Sequence, residues 1–182
     1  MEKYSDKDII RLISEEQSSN RGFNILVQQY QERIYWHIRR MVYSHEDAND
    51  IAQNTFVKIW QNIASFRSDS NLYTWIYRIA SNETFDFLKK RKRYVFSPKG
   101  DYRDELMQNL EDDNIFDGTE IEKKLQMALL TLPDKQRIVF NMKYYDEMKY
   151  EEMSTILNTS VGALKASYHH AVKKIEKNLE VD

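Results

Sequence analysis

Apolar residues recur along most of the chain at spacings of three and four, which is the period of an amphipathic helix. One stripe comprises Phe23, Leu26, Val27, Tyr30, Ile34, Ile38, Met41 and Val42. A second comprises Ile51, Ala52, Thr55, Phe56, Ile59, Trp60 and Ile63. A third comprises Leu72, Ile76, Ile79, Ala80 and Phe87. The pattern predicts three long helices, preceded by a weaker helix over about residues 6–15.

The pattern breaks between residues 94 and 118. This stretch holds Pro98, Gly100 and many acidic residues but no sustained stripe, which predicts a flexible linker. Helical periodicity then resumes in four segments, at about residues 119–131, 133–145, 150–157 and 161–179. Pro133 suits a first helical position because it lacks an N–H. We predict an all-α fold of two small helical domains, 1–94 and 119–182, joined by a flexible linker, 95–118.

Composition agrees with helical domains that bury a core. Of 182 residues, 41% are hydrophobic, and the 4 Gly and 2 Pro are too few for a turn-rich β fold. The lack of cysteine excludes a disulfide framework and a thiolate metal site. The polar start is no signal peptide, and no apolar run approaches the length of a bilayer span. We therefore expect a cytoplasmic protein.

The formal net charge of −2 is low for a protein that binds DNA by itself. The charges are nevertheless segregated, because residues 89–93 form an unbroken basic block and residues 111–113 are all acidic. A near-neutral sum can therefore conceal local fields of both signs.

The last fifty residues have the outline of a helix-turn-helix. A short polar turn, residues 158–160, separates two predicted helices, and Ser160 is a good N-cap for the second. The small residues Gly162 and Ala163 would let this helix approach a DNA groove, where Lys165 and His169 could reach bases or phosphates. The alternative interpretation is an amphipathic helix pair in an ordinary bundle.

The second predicted helix carries an apolar residue at the centre of its polar side. Val57 lies opposite the core stripe and is surrounded by acids and amides. This arrangement indicates a protein-binding face with an apolar centre. The alternative is a solvated face with one stray valine, because single exposed valines are common.

The third predicted helix offers a different surface. Opposite its apolar stripe lie Arg78, Ser81, Phe85, Lys89 and Lys92, with Asn82 at the edge. Aromatic residues between cations suit single-stranded nucleic acid, because bases stack on rings and phosphates meet cations. Trp75, just after the loop at residues 66–71, is more readily explained as a core residue. Glu83 falls within the apolar stripe and needs a partner, for which we expect Arg33, His37 or a backbone group.

Three segments resemble one protein family. Residues 47–60 resemble the core-binding helix of bacterial RNA polymerase sigma factors, and residues 74–82 with the basic block resemble the helix behind their promoter recognition. Residues 132–140, 150–152 and 160–162 resemble the C-terminal helix-turn-helix of the same factors. The length, with two domains only, is similar to that of the extracytoplasmic-function (ECF) group.

The resemblance implies a role for each surface. The clamp of the largest polymerase subunit would bind Asp50, Gln53, Asn54 and Val57. The opened −10 element would meet Arg67, Ser68, Asn71, Arg78, Asn82, Phe85, Lys89 and Lys92. The −35 element would meet Ser160, Lys165, Ala166, His169, His170 and Lys173. Family members often carry Arg where this chain has Ser167 and His170, which implies a −35 contact that is weaker or shifted.

The resemblance also implies partners. These are core RNA polymerase (clamp and flap), promoter DNA and an anti-sigma factor, which in the family is often membrane-anchored. It implies no cofactor, metal, catalytic residue or small-molecule substrate.

Two other functions would account for only part of the sequence or find little support in it. A free-standing helix-turn-helix regulator would explain the C-terminal half but leave the N-terminal half without a role. A metal hydrolase would need its ligands among His37, His45, His169 and His170, which do not form a His-Glu-x-x-His pair.

Overall fold

A computed structural model describes residues 4–66, 71–94, 102–111 and 120–180. Within these ranges every regular element is helical, which confirms the all-α prediction. The helices are α1 (Asp6–Ser14), α2 (Ser19–Val42), α3 (His45–Asn62), a 3-10 turn (Ile63–Ser65), α4 (Leu72–Tyr94), α5 (Tyr102–Glu111), α6 (Glu120–Leu130), α7 (Asp134–Tyr144), α8 (Tyr150–Leu157) and α9 (Val161–Glu180).

Local signals set several helix ends. Ser5, Ser44 and Ser160 are N-caps, and each side-chain oxygen accepts from a backbone N–H three residues on, at 3.2–3.3 Å. Tyr43 ends α2 in the left-handed conformation at a φ of 55°. Pro133 lies one position earlier than predicted, as the N-cap of α7 with a ψ of 146°.

The N-terminal helices α1–α4 bury the predicted stripes. Leu26, Ile34, Ile38 and Met41 of α2 have no exposed surface. Helix α1 packs so closely on α2 that a Cβ added at Gly22 would lie 2.7 Å from the backbone nitrogen of Ile13. Helix α4 contacts α2 and α3 and also α8, so it is covered by both halves of the chain.

The C-terminal helices α6, α7 and α9 enclose a smaller cluster. Its buried members are Ala128, Leu129, Leu132, Phe140, Ala171 and Ile175. The stripe predicted for α9 therefore packs inward at Ala171 and Ile175, whereas Leu179 at its end is 38% exposed.

The two halves pack against each other across a partly polar interface. Met142, Met153 and Ile156 belong to the same buried cluster as the N-terminal helices. The Nη2 of Arg137 donates to Met41 O at 3.1 Å, and Asn141 Nδ2 donates to Arg40 O at 3.2 Å. Side chains from α7 thus satisfy carbonyl groups in the last turn of α2, which have no partner within their own helix.

The predicted linker contains a helix that the sequence pattern did not reveal. Leu106 and Leu110 of α5 are buried, and Glu105 forms an ion pair with Arg91 of α4. Two apolar positions four apart are too short a stripe to distinguish from a polar linker. The rest of the predicted linker lies outside the described residues.

No helix among the described residues is long and apolar enough to cross a membrane.

Candidate functional site

The polar side of α3 forms one continuous exposed face. Asp50, Gln53, Asn54 and Val57 follow the i, i+3, i+4, i+7 spacing and are all exposed. Val57 is 53% exposed. The predicted arrangement of an apolar centre with a polar rim is therefore present in the structure.

The apolar part of this face is larger than the sequence indicated. Trp60, which the periodicity assigned to the core, is 41% exposed and contacts Phe23 edge-on with ring centroids 4.8 Å apart. A groove between α2 and α3 also opens beside Val57. Its lining includes Val27, Tyr35, Ala52 and Phe56. The missed signal is that Trp60 lies at the margin of its stripe, where a large ring can be buried on one side only.

An ion pair holds this face in place. Lys58 donates to the half-buried carboxylate of Glu83, which ties α3 to α4. Glu83 was expected to find a partner in Arg33, His37 or the backbone, and that expectation was wrong. Helix α3 covers this part of α4, so a cation from α3 is the one within reach.

One side of α4 exposes a set of polar and basic side chains. Asn71, Asn82 and Lys89 are exposed, and Arg78 is half-buried on the same side. Arg67 and Ser68 lie outside the described residues.

Other members of the predicted α4 surface are buried, packed against the core or paired with another helix. Ser81 is 1% exposed, donates to Tyr77 O at 2.7 Å and lies within hydrogen-bond distance of His37 Nε2, at 2.9 Å. Phe85 is half-buried and packs against the core. Lys92 donates to Asp134 of α7 at 2.6 Å. A helical wheel assigns one free side to α4, but α8 and α7 cover part of it.

Both flanks of the loop before α4 are anchored. On one flank Phe66 packs on half-buried Trp75, with centroids 5.4 Å apart. On the other flank the backbone N–H of Leu72 donates to Asp6 Oδ2 of α1 at 3.2 Å. Nearby, burial raises the pKa of Tyr73 to about 12, so its hydroxyl remains a hydrogen-bond donor at neutral pH.

The outer face of α9 carries the residues predicted to meet duplex DNA. The exposed members are Ser160, Lys165, Ala166, His169, His170 and Lys173. The helix opens on Gly162, where a Cβ would meet no heavy atom within 4 Å, so the first turn is unobstructed. The N-terminal N–H groups and the lysines together favour an anionic ligand.

A tyrosine not singled out by the sequence lies beside this face. The ammonium groups of Lys143 and Lys165 lie 5.2 and 5.7 Å from the ring centroid of Tyr150. Such cation–π contacts restrain long lysine side chains. No sequence pattern could indicate this contact, because the three residues come from α7, α8 and α9.

The order Ser81, His37 and Asp146 superficially resembles a Ser-His-Asp catalytic triad. Ser81 Oγ lies 2.9 Å from His37 Nε2, and His37 Nδ1 lies 3.6 Å from Asp146 Oδ2. Ser81 and His37 are buried, however, and the Ser81 proton is donated to Tyr77 O. The arrangement therefore presents no nucleophile to a substrate. The described residues also contain no group of three His, Cys, Asp or Glu that could hold a metal ion.

Two family models match the chain. The model described as Sigma-70 region 2 matches residues 26–94, and the model described as Sigma-70, region 4 matches residues 122–175. Together they span more than half of the chain. The first contains the α3 and α4 surfaces, and the second contains α8 and most of α9.

Similar proteins are found among sequences and among solved structures. The ECF RNA polymerase sigma factor SigW of Bacillus subtilis is 32% identical over 166 residues, covering 87% of this chain and 89% of SigW. The RNA polymerase sigma-H factor of Pseudomonas aeruginosa is 29% identical over 175 residues, covering 91% and 90%.

Two solved complexes contain a chain of similar fold. CnrH, in complex with the cytosolic domain of CnrY, has a TM-score of 0.70 and 22% identity, covering 97% of this chain and 98% of CnrH. RpoE, in complex with the anti-sigma factor NepR from Bartonella quintana, has a TM-score of 0.67 and 22% identity, covering 88% and 98%. The two matched regions and the identity with SigW lead to one conclusion: the chain belongs to the ECF group of RNA polymerase sigma factors.

Proposed function

We propose that this sigma factor docks on core RNA polymerase through α3 and positions promoter DNA on α4 and α9. The observation that carries the proposal is the coexistence in one chain of an exposed apolar docking face and an exposed basic helix-turn-helix face. A free-standing regulator would need the second face but would have no use for the first.

The α3 face has the composition of a protein-binding site. Val57 and Trp60 supply exposed apolar area, and Asp50, Gln53 and Asn54 supply a polar rim. Interfaces gain most of their free energy from a few central apolar or aromatic side chains, with polar groups fixing the register. The clamp of the largest polymerase subunit is the proposed partner of this face, and the flap is the proposed partner of the C-terminal domain.

The outward side of α4 is proposed to hold the opened −10 strand. Asn71 and Asn82 offer hydrogen bonds to bases, and Arg78 and Lys89 offer charges to phosphates. Arg67 and Ser68 join this set on the family resemblance alone. Phe85 and Lys92 stand apart, since the first packs on the core and the second reaches DNA only by leaving Asp134.

The outer face of α9 is proposed to enter the major groove at the −35 element. Lys165, His169 and Lys173 lie on its exposed side, and Ala166 adds a small apolar contact. Ser160 and His170 flank the same surface and complete the set predicted from the sequence.

The closed packing of the two halves must open on the promoter. The −10 and −35 elements, about 25 base pairs apart, are separated by roughly 85 Å at about 3.4 Å per base pair. A compact chain of this length has a radius of gyration of only about 16 Å. Simultaneous contact with both elements therefore requires α7–α9 to move away from α2 and α4.

An inhibitory partner completes the proposal. Two structures similar in fold are the sigma factor RpoE bound to the anti-sigma factor NepR and CnrH bound to the cytosolic domain of CnrY. We propose an anti-sigma factor for this chain as well, often membrane-anchored in the family, which would act on it in the cytoplasm. Such a partner should compete with core polymerase, so a protein that binds without displacing core would not be this inhibitor.

We further infer that the chain catalyses no reaction of its own and lends specificity to the polymerase. The buried, already bonded hydroxyl of Ser81 supports this inference.

The decisive experiment is reconstituted transcription. Core polymerase and the full chain are presented with a randomised duplex library, and run-off transcripts are sequenced. Start sites that share upstream elements and require the chain are expected. The absence of both chain-dependent transcripts and a holoenzyme would refute the proposal, whereas tight DNA binding without polymerase would favour the free-standing regulator.

A matched pair of variants tests the docking face. Val57→Asp should weaken binding to core polymerase and to its isolated clamp, because it buries a carboxylate at the centre of the interface. Leu179→Asp also places a carboxylate on an exposed apolar side chain, at the end of α9, and should leave binding to the isolated clamp of the largest subunit unchanged. Equal behaviour of the two variants would remove α3 from the interface.

A further inference from the structure

Asp6 joins α1 to the start of α4. Its Oδ2 accepts the backbone N–H of Leu72 at 3.2 Å, and its Oδ1 accepts the hydroxyl of Tyr30 at 3.0 Å. The two residues come from α4 and α2, which are far from Asp6 in sequence. One carboxylate thus holds three helices together at a single point.

This point is where α4 leaves the loop that precedes it. The first N–H groups of a helix have no partner within the helix, and a carboxylate there also interacts favourably with the helix dipole. Leu72 is the first residue of α4 and is fully buried. Asp6 therefore supplies, from another helix, a cap that fixes the position of the first turn.

Tyr30 orients the carboxylate. Tyr30 is 5% exposed, and burial, followed by the charge of Asp6, raises the pKa of its phenol above the ordinary value. The phenol therefore stays protonated and donates to Asp6 across the physiological range. With Oδ1 occupied in this way, Oδ2 is directed at Leu72.

We propose that Asp6, oriented by Tyr30, is a positioning residue that aims Asn71 and the exposed side of α4 at the −10 strand. The inference rests on the proposed function of α4 and deepens it. Asn71 immediately precedes Leu72 and is exposed, so a shift of the first turn moves its side chain directly. Asp6 itself touches no DNA in this account.

The test uses holoenzyme reconstituted with full-length Asp6→Ala, Asp6→Asn and Asp8→Ala variants. Asp8→Ala is the matched control because it removes the same charge from α1, at a side chain that is 48% exposed. Three affinities are measured: the chain for core polymerase, and the holoenzyme for a single-stranded −10 oligonucleotide and for a −35 duplex. Both DNA probes come from a promoter selected with the wild-type chain.

Asp6→Ala should weaken binding of the −10 oligonucleotide about five- to tenfold, the effect expected from losing a helix cap. Its core and −35 duplex affinities should stay within about twofold of wild type. Asp6→Asn should recover most of the loss, because its amide oxygen can accept from Leu72 and its NH₂ group can donate to the Tyr30 oxygen. Asp8→Ala should behave as wild type.

The outcomes separate this inference from the proposed function. Unchanged −10 binding by Asp6→Ala would overturn the inference alone. Equal losses in all three affinities would also overturn it, because they would indicate a general defect in folding. Failure of the wild-type holoenzyme to bind the −10 oligonucleotide would instead overturn the proposed role of α4.

Discussion

The buried guanidinium of Arg137 offers a direct test of the closed packing. Its side chain is 2% exposed, and Nη2 donates to Met41 O of α2 and to Asp134 Oδ1 of its own helix. Arg137→Ala removes both donors and leaves the Met41 carbonyl without this partner. Hydrogen bonds from a charged group contribute about 1.5–3 kcal/mol each, and removing one partner of a buried pair costs about 3–5 kcal/mol.

The expected loss in the free energy of unfolding is about 3–5 kcal/mol, toward the lower end because Asp134 keeps its ion pair with Lys92. Urea denaturation measures it with two probes. Tryptophan fluorescence reports on the N-terminal half, which holds Trp36, Trp60 and Trp75, and circular dichroism reports on all helices. Coincident transitions in the wild type should separate in the variant, because Arg137 links α7 to α2.

Arg11→Ala is the matched control. Its side chain is 70% exposed and its guanidinium lies 3.7 Å from the Asp8 carboxylate, so its removal should cost less than about 1 kcal/mol. A loss below about 1 kcal/mol for Arg137→Ala, or equal losses for both variants, would show that the guanidinium is not buried between the two halves in solution.

Three further predictions address binding and pH. Val57→Asp should weaken core binding by at least about thirtyfold, the effect of losing a central hot spot, as measured by competition with the wild-type chain. Lys173→Ala should lower −35 affinity and reduce the slope of log affinity against log salt by about one, whereas Lys7→Ala should leave the slope unchanged; an unaltered slope for both would remove Lys173 from the interface. Burial raises the pKa of Tyr43 and Tyr77 in the folded state. Their contribution to the free energy of unfolding is therefore fully present below the unfolded pKa of 10 and is lost progressively as the pH rises above it. Between pH 10 and 12 the free energy of unfolding should fall by about 2.7 kcal/mol per pH unit from these two residues, and a flat profile in denaturation experiments would contradict their burial.

Periodicity was sufficient to predict where most helices lie. Helix α8 coincides with its predicted range, and α9 and α3 begin within two residues of theirs. Each of these helices buries one apolar stripe, so the spacing of apolar residues in the sequence directly predicts which face is packed. Helix α5 was missed because its buried surface amounts to little more than Leu106 and Leu110.

The exposed surfaces could be predicted wherever a helix is covered on its apolar side only. The faces of α3 and α9 were predicted correctly as exposed, since each has one covered side and one free side. For α4 the helical wheel predicted a free side that is partly covered, because helices from both halves of the chain pack on it. Ser81 is buried and Lys92 is paired with Asp134. The apolar pattern of a single helix carries no information on a second covering layer that lies more than forty residues away in the chain.

That second layer also bears on how the sigma factor is used. Helix α8 packs on α4, and Met153 and Ile156 are buried in the cluster shared with the N-terminal helices. Opening exposes this apolar surface, which costs roughly 25 cal/mol per Å² uncovered. It also breaks the hydrogen bonds from Arg137 and Asn141 to the end of α2.

We infer that the free chain is closed and that contacts with polymerase and promoter offset the cost of separating its two halves. A ligand shifts such an equilibrium only by the difference in its affinity for the two states. The docking face on α3 is already exposed in the closed state, so binding there cannot by itself drive opening, and the driving contacts must include the C-terminal helices.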